Sequence, residues 1–293
     1  MTVSIDQSSG FCWGVVRTID IAEEELQKGN EIYSLGDIIH NPGEIERLKE
    51  LGLQTISNAD LSNMGGKKVL IRAHGEAPAT YATAEQYGVE IIDATCPVVT
   101  KLQERIRKYY DTGYQIIIFG KKNHAEVIGL RGVCEDHCIV AQSVDELQGK
   151  VDLHAKTVLF SQTTMDKPSF YAMKAYLQQS IAELVVDSAE EIAAEFHAKD
   201  TICGQVSGRD KKLRAFAEQN DIVIFVAGKN SSNGKVLFDI CREANPRSYF
   251  IESAGELNAG WFAGVERVGI SGATSTPMWL MESVRDTISA AYN

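Results

Sequence analysis

Short apolar runs alternate with longer amphipathic segments along the whole chain of 293 residues. Runs such as Gln115–Phe119 and Ile222–Val226 have the length and composition of buried strands. The segments between them carry apolar residues three or four positions apart, as in Val15, Ile19 and Ala22, and this spacing is typical of one helix face. The alternation predicts an α/β fold with mostly parallel sheets.

The strand and helix predictions follow from these patterns. The predicted strands are Thr2–Ile5, Glu31–Leu35, Lys68–Ile71, Val89–Asp93, Gln115–Phe119, Thr157–Phe160, Ile222–Val226, Ser248–Ile251 and Val268–Ile270. Further helices are expected after Pro97 and around Leu213. A looser apolar stripe at Trp279, Ser283 and Ile288 predicts a helix near the C terminus.

Three of the six cysteines occur in similar local settings. Cys12, Cys96 and Cys203 lie in G-F-C-W-G-V, D-A-T-C-P-V-V and D-T-I-C-G-Q-V, each after an extended stretch and before a helical one. Strand-to-helix turns lie at the carboxyl ends of parallel strands, where open α/β sheets build their sites. The cysteines cut the chain into rough thirds, so we predict three small α/β units at 1–95, 96–199 and 200–293, the last including a C-terminal helix.

The setting of these cysteines suits metal binding. Pro97 is favourable at the first position of a helix, which places Cys96 at a helix N-terminus, where the thiolate form is favoured. An iron–sulfur cluster normally takes four thiolates. Three dispersed thiolates would leave one iron with an open position, as catalytic zinc keeps one. The alternative for any single cysteine is the role of a small buried hydrophobic residue.

Three histidines also follow apolar strand-like runs. They are His40 in I-I-H-N-P-G-E, His74 in I-R-A-H-G-E and His124 in K-K-N-H-A-E-V. A shared pocket of imidazoles could neutralise an anionic ligand that the formal net charge of −11 would otherwise repel. Glu126 lies two residues after His124, where a carboxyl group could act as a proton donor. The alternatives are structural hydrogen-bonding histidines and a solvated glutamate at a helix start.

Three polar turns complete the set of candidate motifs. They are F-S-Q-T-T at 160–164, G-K-N-S-S-N-G-K at 228–235 and G-I-S-G-A-T-S-T-P-M-W at 269–279. Hydroxyls, amides and backbone N–H groups at helix N-termini can bind an anion. None of the turns matches the P-loop or the dinucleotide-binding fingerprint. Any one of them alone is also compatible with an ordinary helix cap or loop.

The remaining features limit the class of protein. Cys134 and Cys138 form a C-x3-C pair around His137, a possible metal corner for which a structural role is expected, and Cys241 is expected in the core. The acidic balance argues against non-specific nucleic-acid binding. We find no run of 18 apolar residues and no signal-peptide pattern at M-T-V-S-I-D-Q. We therefore expect a cytoplasmic protein whose cysteines are thiols or metal ligands.

The residues alone leave three functional classes open. The first is an enzyme with an iron–sulfur cluster that keeps one open iron. The second is a mononuclear zinc hydrolase that uses the histidines with one cysteine. The third is a non-enzymatic iron–sulfur sensor, which would have little need of the polar turns as a phosphate-binding element.

Taken in this order along the chain, the motifs closely resemble those of the LytB-type 4-hydroxy-3-methylbut-2-enyl diphosphate reductases, from G-F-C-W-G-V to S-T-P. The resemblance implies a trefoil of three α/β units around a central [4Fe–4S] cluster held by Cys12, Cys96 and Cys203. One departure is Ala125, where many relatives have proline. It leaves His124 and Glu126 in place.

The resemblance also implies an activity, which is reductive dehydroxylation of the allylic diphosphate to isopentenyl and dimethylallyl diphosphate, the last step of the non-mevalonate pathway. A one-electron donor such as ferredoxin or flavodoxin is implied, without nucleic acid or membrane as partner. The implied proton source is Glu126, with Thr163 and His124 in the same network. The implied substrate-binding residues are His40, His74, His124, Thr163, Ser231, Ser232, Asn233 and Ser275.

Overall fold

The computed structural model describes residues 1–187 and 195–292. The strands in this part of the chain are β1 Thr2–Ile5, β2 Ile32–Leu35, β3 Gln54–Ile56, β4 Lys68–Ile71, β5 Glu90–Asp93, β6 Gln115–Phe119, β7 Cys138–Ala141, β8 Thr157–Ser161, β9 Phe196–Lys199, β10 Ile222–Val226, β11 Ser248–Ile251 and β12 Arg267–Gly272. All nine predicted strands are present, five of them with the predicted bounds and four with ends shifted by one or two residues.

The α-helices of the described residues alternate with these strands. They are α1 Trp13–Gln27, α2 Pro42–Glu50, α3 Pro78–Gln86, α4 Pro97–Asp111, α5 Ala125–Val133, α6 Val144–Leu147, α7 Lys167–Asp187, α8 Gly204–Ser207, α9 Asp210–Glu218, α10 Ser232–Ala244 and α11 Met278–Tyr292. Short 3-10 helices lie at Asn58–Asn63, Ala254–Glu256 and Ala259–Phe262. No helix in the described part of the chain combines the length and the apolar character needed to cross a lipid bilayer.

The strands form three four-stranded sheets. Their strand orders are β1-β12-β10-β11, β3-β2-β4-β5 and β7-β6-β8-β9. Pairs such as β1 with β12, β2 with β4 and β6 with β8 are parallel. The predicted class, three α/β units with parallel sheets, is therefore confirmed. Strand β1 pairs with β12 from the other end of the chain, and the boundaries at 1–95, 96–199 and 200–293 stay a prediction.

The chain divides into two compact units. Unit 1 comprises Met1–Ser57, Lys67–Arg72 and Gly204–Asn293. Unit 2 comprises Asn58–Gly66 and Ala73–Cys203. Each unit has its own apolar core.

In unit 1, alternate residues of β10 face two different layers of helix. Ile222 and Ile224 are buried in a cluster with Met281 of α11. Val223 is buried in another cluster, with Leu213 of α9. Because successive strand residues point to opposite faces, helices cover both sides of this sheet. A strand enclosed in this way is apolar throughout, and β10 is buried at all of its positions.

In unit 2, strand β6 has the same arrangement. Ile116 and Ile118 are buried with Leu102 of α4. Ile117 is buried in a separate cluster with Met173 of α7. Helices therefore cover both faces of this sheet too, and the turns after β6 and β8 emerge from a rigid apolar layer.

The apolar stripe predicted for the C-terminal helix was wrong. Helix α11 is present, but its buried face consists of Leu280, Met281, Val284 and Ile288. Trp279, which the stripe placed inside, is 40% exposed. Its indole Nε1 donates to Glu44 Oε2 of α2 at 2.7 Å. The hydrogen bond gives the indole a polar partner at the edge of the core, an arrangement common for tryptophan.

Candidate active site

Cys12 lies at the N-terminus of α1 in unit 1. It occupies the N-cap position with extended backbone, and its side chain makes no capping hydrogen bond. Its backbone N donates to the carbonyl of Thr274 at 3.1 Å. The cysteine is held by its main chain against the turn that follows β12, so its thiol has no role in capping the helix.

Cys96 and Cys203 lie at comparable turns in unit 2. Cys96 is the N-cap of α4, again without a side-chain capping bond, and Pro97 begins the helix as predicted. Its backbone N donates to the carbonyl of Ala73 at 3.0 Å. Cys203 directly precedes α8, and its backbone N donates to the carbonyl of Thr163 at 2.8 Å. All three predicted cysteines thus lie immediately before helices, and each is only partly buried.

Glu126 is a carboxyl group enclosed by protein. It lies in the first turn of α5 and is 2% exposed. Its Oε1 accepts from the backbone N of Thr163, and its Oε2 accepts from the Thr163 hydroxyl, both at 2.7 Å. Burial raises the pKa of Glu126 to about 7, although the two bonds from Thr163 act in the opposite direction. Glu126 can therefore hold or release a proton near neutral pH.

Thr163 connects Glu126 to one of the cysteines. Its hydroxyl and backbone N bind the carboxyl group, while its carbonyl accepts from the backbone N of Cys203. Gln162 is buried beside it, and its Oε1 accepts from the backbone N of Lys121 at 3.0 Å. The turn after β8 is thus bonded both to the turn that carries His124 and to the segment that carries Cys203.

His124 and His74 are neighbours in unit 2. Their ring centroids are 5.4 Å apart in an edge-to-face arrangement. Nδ1 of His124 accepts from the backbone N of Glu126 at 3.2 Å, so a neutral His124 carries its proton on Nε2. A Cβ atom at Gly132 of α5 would lie 2.3 Å from the Cβ of Ala77. The glycine therefore lets α5 pack closely against the segment that follows His74.

The predicted diphosphate-binding residues form a hydrogen-bonded group in unit 1. Ser231 caps α10 by accepting from the backbone N of Gly234, and its Oγ lies 3.2 Å from that of Ser275. Oδ1 of Asn233 accepts from the backbone N and the hydroxyl of Thr274, at 2.8 and 2.7 Å. Nδ2 of Asn233 is buried without a hydrogen-bond partner among the described residues. Buried polar groups usually have partners, so this amide is suited to donate to a ligand.

His40 lies on a separate turn of unit 1. Asn41 caps α2 by accepting from the backbone N of Glu44 at 3.1 Å, which fixes the chain directly after His40. A Cβ atom at Gly228 would lie 2.2 Å from the carbonyl oxygen of His40. Only glycine allows the turn after β10, which leads to Ser231, to approach His40 so closely.

Replacing Gly228 by Ala is therefore expected to destabilise the protein by about 1–3 kcal/mol, since the clash is with main chain that must move. Chemical denaturation of the variant measures this loss. The matched control is Gly255→Ala, where the nearest atom to a new Cβ is Ser253 Oγ at 3.7 Å, and its effect should stay within about 0.5 kcal/mol. Equal stability of the two variants would contradict the close approach at His40.

Comparison with known proteins defines the family. A model of the LytB protein family matches residues 3–289. The chain belongs to the LytB family. It is 50% identical over 308 residues to the 4-hydroxy-3-methylbut-2-enyl diphosphate reductase of Chloroherpeton thalassium, covering 100% of this chain and 98% of that protein. The reductase of Chlorobium chlorochromatii is 47% identical over 320 residues, covering 100% of this chain and 97% of that protein.

The chain is also similar to two solved structures. The terminal enzyme of the non-mevalonate pathway, (E)-4-hydroxy-3-methyl-but-2-enyl diphosphate reductase, is 34% identical with a TM-score of 0.72, covering 99% of this chain and 100% of that one. The Plasmodium falciparum E-1-hydroxy-2-methyl-but-2-enyl-4-diphosphate reductase is 24% identical with a TM-score of 0.85, covering 99% and 88%. At that identity the second structure shows likeness of fold.

Within each unit of this LytB chain, the structure brings several predicted residues together. Unit 2 joins Glu126 to Thr163 and His74 to His124, and unit 1 joins Ser231 to Ser275. The remaining predicted residues are placed in the same two units. Unit 1 contains Cys12, His40, Ser232 and Asn233, and unit 2 contains Cys96 and Cys203.

Two further buried polar residues near the candidate site residues were not predicted from the sequence. Gln162 lies in the polar turn F-S-Q-T-T, from which the sequence analysis selects only Thr163. Arg209 in unit 1 follows no recognisable motif. Burial lowers the pKa of its guanidinium, whereas Cys12 and Asp6 raise it by charge. Its Nη1 is buried without a hydrogen-bond partner among the described residues, which places a cation near Cys12.

Proposed function

We propose that the chain catalyses reductive dehydroxylation of 4-hydroxy-3-methylbut-2-enyl diphosphate to isopentenyl and dimethylallyl diphosphate, the last step of the non-mevalonate pathway. The observation that carries this proposal is the buried Glu126–Thr163 pair, bonded through Thr163 to the main chain of Cys203. It supports the assignment of a proton donor next to a candidate metal ligand, in a chain that matches the LytB family almost throughout. Neither a zinc hydrolase nor a sensor is supported by these relatives.

Cys12, Cys96 and Cys203 are our proposed ligands of a [4Fe–4S] cluster. The donor set fits such a group, because three cysteines at helix starts offer thiolates, and thiolates are the usual ligands of iron–sulfur clusters. At Cys12 and Cys96 no side-chain hydrogen bond caps the helix, so neither thiol serves as a helix cap. When bound with three protein ligands, the cluster supplies electrons and a Lewis-acidic iron with an open position.

The diphosphate is proposed to bind Ser231, Ser232, Asn233 and Ser275 in unit 1. These residues are buried, and they lie where the parallel neighbours β10 and β12 end. Helix α10 begins among them, and the N–H groups at a helix start have no partner inside the helix. Hydroxyls, amides and backbone N–H groups are thus the proposed partners of the anion. Since the diphosphate is remote from the bond that breaks, its binding positions the reacting end.

Proton delivery is assigned to Glu126. The reaction takes up two electrons and two protons, and the hydroxyl leaves as water. A protonated Glu126 can pass its proton to the Thr163 hydroxyl, which donates onward, and the carboxylate that remains keeps the backbone bond from Thr163. His74 and His124 in unit 2 and His40 in unit 1 are our proposed substrate-binding imidazoles. Protonation at either end of the allylic system gives one or the other product.

The direct test is turnover without oxygen. The protein is reconstituted with iron and sulfide and mixed with the allylic diphosphate and reduced methyl viologen, a chemical one-electron donor that stands in for ferredoxin or flavodoxin. We expect two viologens to be oxidised for each molecule of isopentenyl or dimethylallyl diphosphate formed. A sensor would keep its cluster spectrum without turnover. A hydrolase would release products without consuming electrons, and either result would overturn the proposal.

The pKa of Glu126 predicts how the rate depends on pH. With a pKa of about 7, the protonated donor is lost as pH rises through neutrality, so kcat should fall with an alkaline limb near pH 7. Thr163→Val removes one bond that lowers this pKa, and it should shift the limb to higher pH. A limb at the same pH in both proteins would contradict the assignment of Glu126.

The raised pKa of Glu126 also makes the stability of the folded protein depend on pH. The folded protein holds the Glu126 proton more tightly than the unfolded chain does, because burial raises the pKa from 4.5 to about 7. This contribution is fully present below pH 4.5 and is lost as pH rises through about 7.

Substrate affinity tests the diphosphate assignment. Ser275→Ala removes a hydroxyl next to that of Ser231. Because a hydrogen bond to a charged group contributes about 1.5–3 kcal/mol, we expect KM to rise about tenfold or more with little change in kcat. The control is Ser283→Ala on the exposed face of α11, which should leave KM unchanged. A normal KM in the Ser275 variant would remove this residue from the binding site.

A further inference from the structure

Cys134 and Cys138 lie outside the proposed active site, on either side of the turn between α5 and β7. Cys134 is the C-cap of α5 and is fully buried, whereas Cys138 begins β7 and is partly exposed. Both pack in the apolar cluster that also contains Ile116 and Leu130. The Cys134 thiol donates to the carbonyls of Leu130 and Arg131, at 3.5 and 3.3 Å. The chain thus places two free cysteines, four residues apart, in one apolar cluster.

An unusual turn joins the two cysteines. Glu135 and Asp136 both have left-handed backbone, with φ of 54° and 60°, a conformation that residues with a Cβ rarely adopt in succession. The backbone N of Asp136 donates to the carbonyl of Arg131 at 3.0 Å, and that of His137 donates to the carbonyl of Cys134 at 2.8 Å. These bonds reverse the chain over the end of α5 and bring Cys138 back to Cys134.

Side chains hold the turn in place. The Arg131 guanidinium pairs with the Asp136 carboxylate at 2.7 Å. Arg107 of α4 donates to Glu135 at 3.3 Å. The ring of His137 stacks on Tyr110, with Nδ1 2.9 Å from the tyrosine hydroxyl. The His137 ring is therefore occupied by its contacts with Tyr110. It does not supply a third metal ligand beside the two thiols.

The two sulfur atoms differ in reactivity. The neighbouring Cys134 thiol lowers the pKa of Cys138, with a further contribution from the charge of Arg131. The proximity of Cys138, together with burial, raises the pKa of Cys134. Cys138, which solvent reaches, is thus the better nucleophile, and the buried Cys134 remains a thiol. This asymmetry is that of an attacking and a resolving cysteine.

We propose that Cys134 and Cys138 are a redox-active pair that peroxide converts to a disulfide. The Cys138 thiolate attacks one oxygen of hydrogen peroxide, the O–O bond breaks, and hydroxide leaves with the second oxygen. The Cys134 thiol then attacks the sulfur of the resulting sulfenic acid, and water leaves as the S–S bond forms. Two thiols lose two electrons and two protons in total, and one peroxide becomes two waters.

The position of this pair gives it a structural consequence. Helix α5 begins with Ala125 and Glu126 and ends next to Cys134. A disulfide would join the end of this helix covalently to β7. The redox state of the pair thereby acts on the helix that carries Glu126, through a site that is chemically separate from Cys12, Cys96 and Cys203.

Peptide mass measurement tests the pair directly. The whole protein, prepared without oxygen, is exposed to hydrogen peroxide, denatured in N-ethylmaleimide and digested with trypsin without reduction. The peptide from Gly132 to Lys150 contains both cysteines and no other. We expect it to carry no maleimide and to be lighter by two hydrogens after peroxide. Dithiothreitol before alkylation should restore two maleimides.

The same digest contains its own control. Cys241 is buried and has only the Ser248 hydroxyl as a side-chain partner in the described part of the chain, so its peptide, from Val236 to Arg242, should keep one maleimide. In Cys134→Ser, oxidation of Cys138 should stop at a sulfenic acid that dimedone traps. Two maleimides on the wild-type peptide after peroxide would overturn the proposal, as would a sulfinic acid at Cys138 beside an alkylated Cys134. Neither readout depends on catalytic activity.

Discussion

Replacing Glu126 by Gln is expected to lower kcat by about 10²–10⁴-fold, the usual contribution of a positioned proton donor. The amide has nearly the same shape, and its oxygen can still accept one bond from Thr163. It cannot supply a proton. Because the carboxyl group is 2% exposed, water cannot readily take its place. The measurement is steady-state turnover with reduced methyl viologen, together with KM for the allylic diphosphate.

Three further measurements make this prediction specific. The cluster absorbance and the substrate affinity of Glu126→Gln should match those of the parent protein, because Glu126 is not a proposed ligand. Glu104→Gln, at an exposed position of α4, should leave kcat unchanged. The fall in stability between pH 4.5 and about 7 should disappear with the carboxyl group. Near-normal turnover in the Gln variant would remove Glu126 from the proton path.

Replacing Cys96 by Ser is expected to abolish the visible absorbance of the cluster and all measurable turnover. A serine hydroxyl ionises far less readily than a thiol and is a poor ligand for iron, so one corner of the cluster would lose its anchor. The fold should survive. The backbone bond from Cys96 to Ala73 does not use the side chain, and the thiol does not cap α4. The measurement is an anaerobic visible spectrum with iron and sulfide contents.

The matched control is Cys138→Ser, which changes a partly exposed cysteine of the same unit. It should retain four iron and four sulfide per chain and normal turnover. A full iron and sulfide content in Cys96→Ser would mean that the ligands were assigned wrongly. Loss of the cluster in Cys138→Ser would contradict the separation between the proposed cluster ligands and the redox pair.

The strands show why pattern recognition succeeded for most of the fold. Central strands such as β6 and β10 are buried on both faces, so their sequences are continuous apolar runs. The strands that escaped prediction, β3, β7 and β9, all lie at sheet edges. Strand β3 is mostly exposed and β9 is only partly buried. An edge strand makes fewer apolar contacts, so its sequence need not show a strand-like apolar pattern. It is recognised only from its pairing with the neighbouring strand.

The C-terminal helix illustrates a different failure. A spacing of three or four residues predicts a helix, but the spacing alone does not say which face is buried when apolar residues occur on more than one. Trp279 lies outside the core because α11 packs with Met281 against the sheet, while Glu44 offers the indole a hydrogen-bond acceptor. Which face of α11 is buried therefore depends partly on Glu44, a residue far from this helix in the sequence.

Some features of the candidate site could likewise be predicted from the sequence, and others could not. The placement of Cys12 and Cys96 before helices could be predicted, because adjacent residues determine where helices start and strands end. The pKa of Glu126 could not, since it arises from burial against a turn of residues 160–164. Arg209 was missed for the same reason, because its environment consists of Cys12 and Asp6 at the other end of the chain.

The sequence by itself determined the α/β class, the nine principal strands, the resemblance to the LytB family and the local setting of each motif cysteine. These properties depend on short-range patterns of burial and capping, which a few adjacent residues encode. Only the tertiary structure decided that Thr163 binds both the Glu126 carboxyl and the main chain of Cys203, and that Cys134 and Cys138 meet. Such contacts depend on how turns from different elements are brought together, and burial then sets the protonation and reactivity of the groups that meet there.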